Sequence, residues 1–101
     1  MNTTIQRTRR PSHPGAILRE DVLPALGITQ TELARRLGVS RLTVSEILLG
    51  KRGVSPDLAL RIGKLLGNGP SVWLKMQQTL DLWELERENA RVYARIERIA
   101  A

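Results

Sequence analysis

The segment from Thr29 to Arg52, TQTELARRLGVSRLTVSEILLGKR, constrains the fold of this chain more than any other. Thr29 and Ser40 are residue types that cap helix N-termini, and Gly38 lies where a helix often ends with positive φ. Glu32, three residues after Thr29, completes the pattern of a capping box. Apolar residues at helical spacing predict the buried faces, which are Leu33, Ala34 and Leu37 in one helix and Val44, Ile47 and Leu48 in the next. Two helices this short need a shared core, so the segment predicts a helical hairpin inside a larger domain.

The outward side of the second predicted helix is mixed polar and apolar and is flanked by basic residues. The outward residues are Arg41, Leu42, Ser45 and Glu46, and the flanking cations are Arg35, Arg36, Lys51 and Arg52. This is the arrangement of a recognition helix between phosphate-binding side chains. An ordinary helical hairpin with a solvated face is the alternative. The two caps, the glycine turn and the flanking cations together favour a helix-turn-helix at about residues 29–49.

The charge distribution also indicates an anionic partner. The chain of 101 residues has a net charge of +6, and residues 27–69 alone carry seven cations against three anions. Residues 70–101 carry five of each, so the surplus lies with the predicted helix-turn-helix.

The composition excludes several kinds of site. Cysteine is absent and there is one histidine, so the sequence predicts no disulfide, no metal site, no cofactor and no catalytic residues. We therefore expect a protein that is not an enzyme. No apolar run reaches membrane-spanning length, so we expect a cytoplasmic protein without membrane partners.

The remaining chain divides into three predicted parts. Residues 1–12 form a basic, flexible arm with Arg7, Arg9 and Arg10. Residues 13–82 form the helix-turn-helix domain, with His13 and Pro14 opening the first helix and later helices starting at Ser55–Pro56 and Pro70–Ser71. Residues 83–101 form a helical extension for dimerisation.

A heptad-like pattern supports the dimer. Apolar residues and one asparagine recur at spacings of three and four along the end of the chain: Leu82, Leu85, Asn89, Val92, Ile96 and Ile99. The seam extends beyond what one small domain covers, and an asparagine within a seam fixes the register of a pair. The alternative is that this end folds back onto its own domain.

The segment from Arg10 to Leu82 resembles the HigA-type antitoxin branch of the lambda-repressor-like (XRE/Cro-C1) helix-turn-helix family. The resemblance is carried by HPG at residues 13–15, by the TQ, ELA, LGVS, TVS and GKR elements, and by SVWLKMQ at residues 71–77. It implies an all-α, five-helix domain with an extended C-terminal helix. It also implies a bacterial homodimer that binds a palindromic operator, represses its own operon at the nucleoid, and neutralises a HigB-type toxin similar to RelE-like messenger-RNA endonucleases.

The resemblance also implies roles for individual residues. Arg41 is the expected reader of guanine, Leu42 is expected to contact a thymine methyl group, and Ser45 and Glu46 are expected to reach neighbouring base edges. The expected contacts to the DNA backbone are Gln30, Ser40, Thr43, Lys51 and Arg52. Leu49 departs from the family, which often has asparagine immediately before GKR.

Other functions remain open from the sequence. A stand-alone or prophage regulator of the same fold would show nearly the same residues. A pure protein-interaction module would leave the basic helix-turn-helix without an evident purpose.

Overall fold

Every regular element of the computed structural model, which describes residues 9–100, is a helix. The elements are α1 (Pro14–Ile17), a π-helical turn (Leu18–Val22), α2 (Leu23–Leu26), α3 (Gln30–Leu37), α4 (Arg41–Leu48), α5 (Pro56–Leu66), α6 (Ser71–Glu88) and α7 (Ala90–Ala94). The predicted all-α fold is confirmed. Arg7 and most of the predicted arm lie outside the described residues. No helix in residues 9–100 combines the length and apolar character needed to cross a membrane.

The first helical run contains a proline that shapes it. His13 caps α1, and the run ends at Gly27, which has a left-handed φ of 66°. Pro24 has no N–H, and its ring would crowd the carbonyl four residues earlier in a regular α-helix. The preceding turn is widened to the π type, with the Leu23 N–H donating to the Leu18 carbonyl. The helix therefore continues past the proline.

The helix-turn-helix has the caps that the sequence predicts. The Thr29 hydroxyl accepts from the Glu32 N–H at 3.1 Å, and the Ser40 hydroxyl accepts from the Thr43 N–H at 3.0 Å. Gly38 has a left-handed φ of 72° between the two helices. The Glu32 carboxylate binds two arginines of α3 instead of reaching back as a capping box requires. Local signals therefore define α3 and α4.

The core lies between the helix-turn-helix, α1, α5 and α6. All six apolar residues predicted for the buried faces of α3 and α4 are buried, and they are joined by Leu18, Val54, Leu58, Ala59, Ile62 and Trp73. Gly63 allows the turn before α6 to approach α5, because a Cβ at this position would lie 2.2 Å from the Gly69 carbonyl carbon. The core thus holds α4 with one face outward.

Helix α6 extends past the core and then breaks. Trp73 and Leu80 are buried in the core, whereas Val72 is 43% exposed. The helix ends at Asn89, whose φ of −118° departs from helical values, and only the short α7 follows. The helical extension predicted for residues 83–101 therefore stops at Ala94, and the chain from residue 95 to 100 is not helical.

Two residues assigned to the predicted arm lie against the domain. Arg10 pairs with Glu84 of α6 at 2.6 Å, and Pro11 is buried. The packed domain therefore includes residues before His13.

Candidate nucleic-acid interface

Helix α4 presents an exposed face that includes the four predicted base-reading residues. Arg41 and Leu42 are exposed, with Leu42 65% accessible, and Ser45 and Glu46 are half-buried. The Arg41 side chain forms no hydrogen bond or ion pair with any residue of the described part of the chain. Its guanidinium is therefore free to bind a ligand. Leu42 beside it supplies an exposed apolar surface of the kind that contacts thymine methyl groups.

The turn after α4 places two cations at the end of the same helix. Gly50 has a left-handed φ of 74°, which reverses the chain. The N–H groups of Lys51 and Arg52 then donate to the Glu46 carbonyl at 2.8 and 3.2 Å. These bonds fix the backbone of the basic turn relative to the outward face of α4. The Lys51 ammonium, like the Arg41 guanidinium, has no partner among residues 9–100.

Glu46 and Arg52, predicted for different contacts, bind each other. The Arg52 guanidinium donates twice to one Glu46 carboxylate oxygen, at 2.6 and 3.0 Å. The side chains are 33% and 47% exposed, and ion pairs of this kind contribute about 0–1 kcal/mol. A phosphate can therefore compete for Arg52, but the carboxylate lies close to any such phosphate.

The three remaining predicted backbone contacts lie at helix N-termini. Gln30 is the exposed first residue of α3. Ser40 caps α4, and its hydroxyl lies 2.9 Å from the Thr43 hydroxyl. The first N–H groups of a helix and its dipole favour an anion at such a position.

Arg35 and Arg36, the two cations in the last turn of α3, are partly neutralised. Both donate to the Glu32 carboxylate, at 2.5 and 2.7 Å. The hydrogen bond from Arg35, followed by that from Arg36, lowers the pKa of Glu32 from its usual 4.5 to about 2. Glu32 therefore remains ionised at neutral pH.

Two further arginines, for which the sequence pattern predicts no individual role, stabilise the domain. Arg61 donates to the Leu37 carbonyl at the end of α3 at 2.8 Å, and Arg19 donates to the Leu48 carbonyl at the end of α4 at 2.5 Å. Each bond satisfies a carbonyl that a helix end leaves unpaired. These cations are therefore structural. Within residues 27–69, the cations whose side chains have no partner among residues 9–100 are Arg41, Lys51 and Lys64.

His13 connects α1 to the basic turn. Its Nδ1 accepts from the Gly15 N–H at 2.8 Å, and the imidazole also hydrogen-bonds the backbone of Arg52. Burial, followed by the positive charge of Arg10, lowers the pKa of His13 below its usual 6.5. The imidazole is therefore neutral at neutral pH, as its role as an acceptor requires. The prediction that His13 and Pro14 open the first helix is confirmed.

The predicted dimer residues lie on an exposed surface that the helix break divides. Leu82 and Leu85 are on α6 and are 60% and 42% exposed, and Asn89 stands at the break. Val92 on α7 is 55% exposed, and Ile96 beyond it is 71% exposed. A seam along one continuous helix is thus replaced by an apolar strip over two helices and the following chain.

Comparisons with known proteins place this geometry in a family. Residues 18–74 match the helix-turn-helix family HTH_3. The chain is 40% identical over 76 residues to antitoxin HigA-1 of Vibrio cholerae, and the match covers 75% of this chain and 71% of that protein. It is 36% identical over 94 residues to the uncharacterised HTH-type transcriptional regulator YbaQ of Escherichia coli K12, covering 93% of this chain and 82% of that protein.

The solved structure of antitoxin GraA in complex with its operator has the same fold. Its TM-score is 0.84 and its sequence identity 38%, and the match covers 96% of this chain and 99% of that chain. The exposed face of α4, the basic turn after it and these matches all indicate a helix-turn-helix protein. The chain belongs to the XRE-type helix-turn-helix family, whose members include HigA antitoxins and DNA-binding regulators and are not enzymes.

Proposed function

We propose that this protein is a dimeric, sequence-specific DNA-binding autorepressor that also serves as the antitoxin of a type II toxin–antitoxin module. The observation that carries the DNA-binding half is the pair of free cations at the two ends of α4. Arg41 opens the exposed face and Lys51 follows its last turn, and neither side chain has a partner within residues 9–100. Free cations at both ends of an outward helix match a recognition helix flanked by phosphate contacts.

In this proposal α4 enters the major groove. Arg41 reads a guanine through its two-pronged guanidinium, Leu42 contacts a thymine methyl group, and Ser45 and Glu46 reach adjacent edges. The DNA backbone is bound by Gln30, Ser40, Thr43, Lys51 and Arg52. Gln30 and Ser40 stand at helix N-termini, where backbone N–H groups assist.

The proposed homodimer uses Leu82, Leu85, Asn89, Val92 and Ile96. The exposed apolar side chains among them lie at the end of α6 and beyond, away from the core. Burying this strip against a second copy would remove apolar surface from water, which is the main driving force of association. Two recognition helices related by a two-fold axis would read a palindromic operator with half-sites about one helical turn apart.

The antitoxin half is supported by the relatives. The Vibrio cholerae relative is antitoxin HigA-1, and the operator-bound relative is antitoxin GraA. On this likeness we propose that the partner is a HigB-type toxin, a RelE-like messenger-RNA endonuclease. The proposed location is the bacterial cytoplasm, at the nucleoid when the operator is bound.

The second candidate is a stand-alone regulator. It is favoured by the match to YbaQ, a transcriptional regulator that covers more of this chain than HigA-1 does. This candidate keeps the proposed DNA contacts and the dimer but has no toxin partner.

Footprinting on the promoter of its own gene, with and without the product of the neighbouring gene, tests both candidates. The antitoxin proposal expects a palindromic footprint that the neighbouring product alters, and growth arrest when that product is expressed alone. A footprint with a harmless neighbour would support the stand-alone regulator. The absence of any protected site would contradict autorepression.

A further inference from the structure

Gln77 is a buried polar residue on α6 that lies beneath the basic turn. Only 9% of its surface is exposed, and none of the proposed DNA or dimer contacts involves it. The chain above it runs from Gly53 to Val54, directly after Arg52. Burying an amide costs free energy unless its donors and acceptor are hydrogen-bonded, so the contacts of Gln77 indicate what it does.

The hydrogen bonds of Gln77 fix the direction of its amide. Its Oε1 accepts from the Val54 N–H at 2.8 Å, and its Nε2 donates to the Asp81 carboxylate at 2.8 Å. A backbone N–H only donates and a carboxylate only accepts, so the reversed amide would lose both bonds. Asp81 therefore determines which atom of Gln77 faces the turn.

The turn also lies in close contact with this amide. A Cβ on Gly53 would stand 3.1 Å from the Gln77 Cδ, and Val54 is 3% exposed. The chain is thus anchored to Gln77 two residues after Arg52, in addition to the bonds that the Lys51 and Arg52 N–H groups donate to Glu46. An anchored loop loses less conformational freedom on binding than a free one.

We propose that Gln77, oriented by Asp81, is a positioning residue that holds Lys51 and Arg52 where they bind DNA phosphates. This inference rests on the DNA-binding function proposed above. It assigns α6, the helix that carries part of the proposed dimer surface, a direct link to the phosphate contacts. Without the hydrogen bond from Val54 to Gln77, Lys51 and Arg52 remain in the chain but are no longer held at positions that match the DNA phosphates.

The salt dependence of DNA binding separates positioning from a merely structural role. Each phosphate contact contributes a slope of about −0.9 to log K against log salt. Gln77→Met keeps similar volume but removes both hydrogen bonds. We expect affinity for a promoter duplex and for a scrambled duplex to fall alike, by about five- to tenfold at moderate salt. We also expect the slope of log K against log salt to become shallower by the equivalent of about one phosphate contact per bound subunit.

Exchanging the amide and the carboxylate between positions 77 and 81 tests whether DNA binding can be restored. Gln77→Glu alone sets a second carboxylate against Asp81 and should weaken binding. Gln77→Glu combined with Asp81→Asn keeps the net charge of the chain. The carboxylate at position 77 still accepts from the Val54 N–H, while the amide at position 81 donates to it. We expect the double variant to restore affinity and slope to within about twofold of the parent.

Asn68→Ala is the matched control. It removes the hydrogen bond that the Trp73 Nε1 donates to Asn68 at 3.2 Å, at the other end of α6. It should lower the thermal midpoint and leave the salt slope unchanged. Fluorescence anisotropy with both duplexes, well below the midpoint of every variant, provides the measurement.

The outcomes are distinct. If Gln77→Met behaves like Asn68→Ala, with a lower midpoint and an unchanged slope, Gln77 does not position the turn. If Gln77→Met does not fold, the comparison of Gln77→Glu with the double variant decides, and a double variant that binds no better than Gln77→Glu overturns the proposal. If the parent itself shows no salt-dependent binding, the proposed DNA-binding function fails.

Discussion

Gly15 lies so close to Ile47 that a Cβ on the glycine would stand 1.8 Å from the Ile47 carbonyl oxygen. The first helical run therefore touches the last turn of α4 backbone to backbone. The two preceding residues serve the same junction, since His13 caps α1 and Pro14 occupies its first position. The HPG sequence thus has a physical basis, because it builds a helix start that only glycine can bring against α4.

Gly15→Ala should destabilise the domain strongly. The new methyl group would overlap the Ile47 carbonyl, and overpacking of this kind costs about 1–3 kcal/mol or more. Gly27→Ala is the control, since nothing lies within 4 Å of its Cβ position and the cost comes from its φ of 66° alone, roughly 1–2 kcal/mol. Urea unfolding gives both values. A Gly15 variant no less stable than the Gly27 variant would contradict the close approach of α1 to α4.

The stability of the protein should fall as the pH drops below about 6.5 because of His13. Burial, then the charge of Arg10, lowers its pKa in the folded state, while the Arg52 backbone bond, Glu84 and Asp81 act in the opposite direction. The unfolded chain therefore binds the proton at a higher pH than the folded chain does. The stabilisation is complete above 6.5 and is lost as the pH falls through the lower folded-state pKa.

Urea midpoints measured across this pH range test the titration of His13. His13→Asn retains a side-chain acceptor for the Gly15 N–H but cannot titrate, so its midpoint should vary less with pH between about 5 and 7. Glu32 does not interfere, because its lowered pKa confines its effect to pH below 4.5. Parallel pH profiles for the parent and the variant would exclude His13 as the source.

Local signals could be predicted from the sequence, whereas contacts between distant segments could not. The Thr29 and Ser40 hydroxyls each accept from the backbone N–H three positions later in the chain, so their cap roles follow from nearby sequence. Gln77 and Val54 are separated by 23 residues, and their hydrogen bond depends on how α6 packs. The heptad pattern near Asn89 predicted one long helix, but side-chain spacing alone does not indicate where a helix breaks.

In helix α4 and the basic turn, the sequence predicted which face points outward but not how its side chains pair. Arg41 and Lys51 are exposed and free in the described structure, as a ligand-binding role requires. The bond between Glu46 and Arg52 spans six positions across a turn, and helical periodicity does not predict such a pair. The assigned contacts to DNA stay predictions.

Glu46→Gln should strengthen non-specific DNA binding. The substitution removes a carboxylate close to the proposed phosphate path and weakens the 2.6 Å ion pair that occupies Arg52. We expect a gain of about 0.5–1 kcal/mol on a scrambled duplex, which decreases as salt rises. Anisotropy titrations at two salt concentrations measure it. Glu84→Gln is the control, since it neutralises a carboxylate paired with Arg10 on α6. Equal gains for both variants would indicate a general charge effect.

Leu85→Asp combined with Val92→Asp should convert the proposed dimer into monomers. The two side chains are 42% and 55% exposed, so charges there have little effect on the folded monomer but are costly in an apolar interface. Sedimentation velocity gives the oligomeric state. Leu60→Asp, at a leucine on α5 that is 60% exposed, should leave the dimer intact. Dimers that persist in the double variant, with loss of dimers in the Leu60 variant, would place the interface on α5.

Arg41→Ala should weaken binding to the protein's own promoter by about 1–3 kcal/mol and relax the preference at one base pair. The loss is specific because a bidentate arginine recognises guanine through two acceptors at once, and alanine offers neither donor. Lys64→Ala, which removes another free cation of residues 27–69 from α5, should reduce affinity only slightly and equally for all sequences. Titration of the promoter duplex and of single-base variants separates the two results. If Arg41→Ala bound every variant as the parent does, the outward face of α4 would not be the surface that reads the DNA.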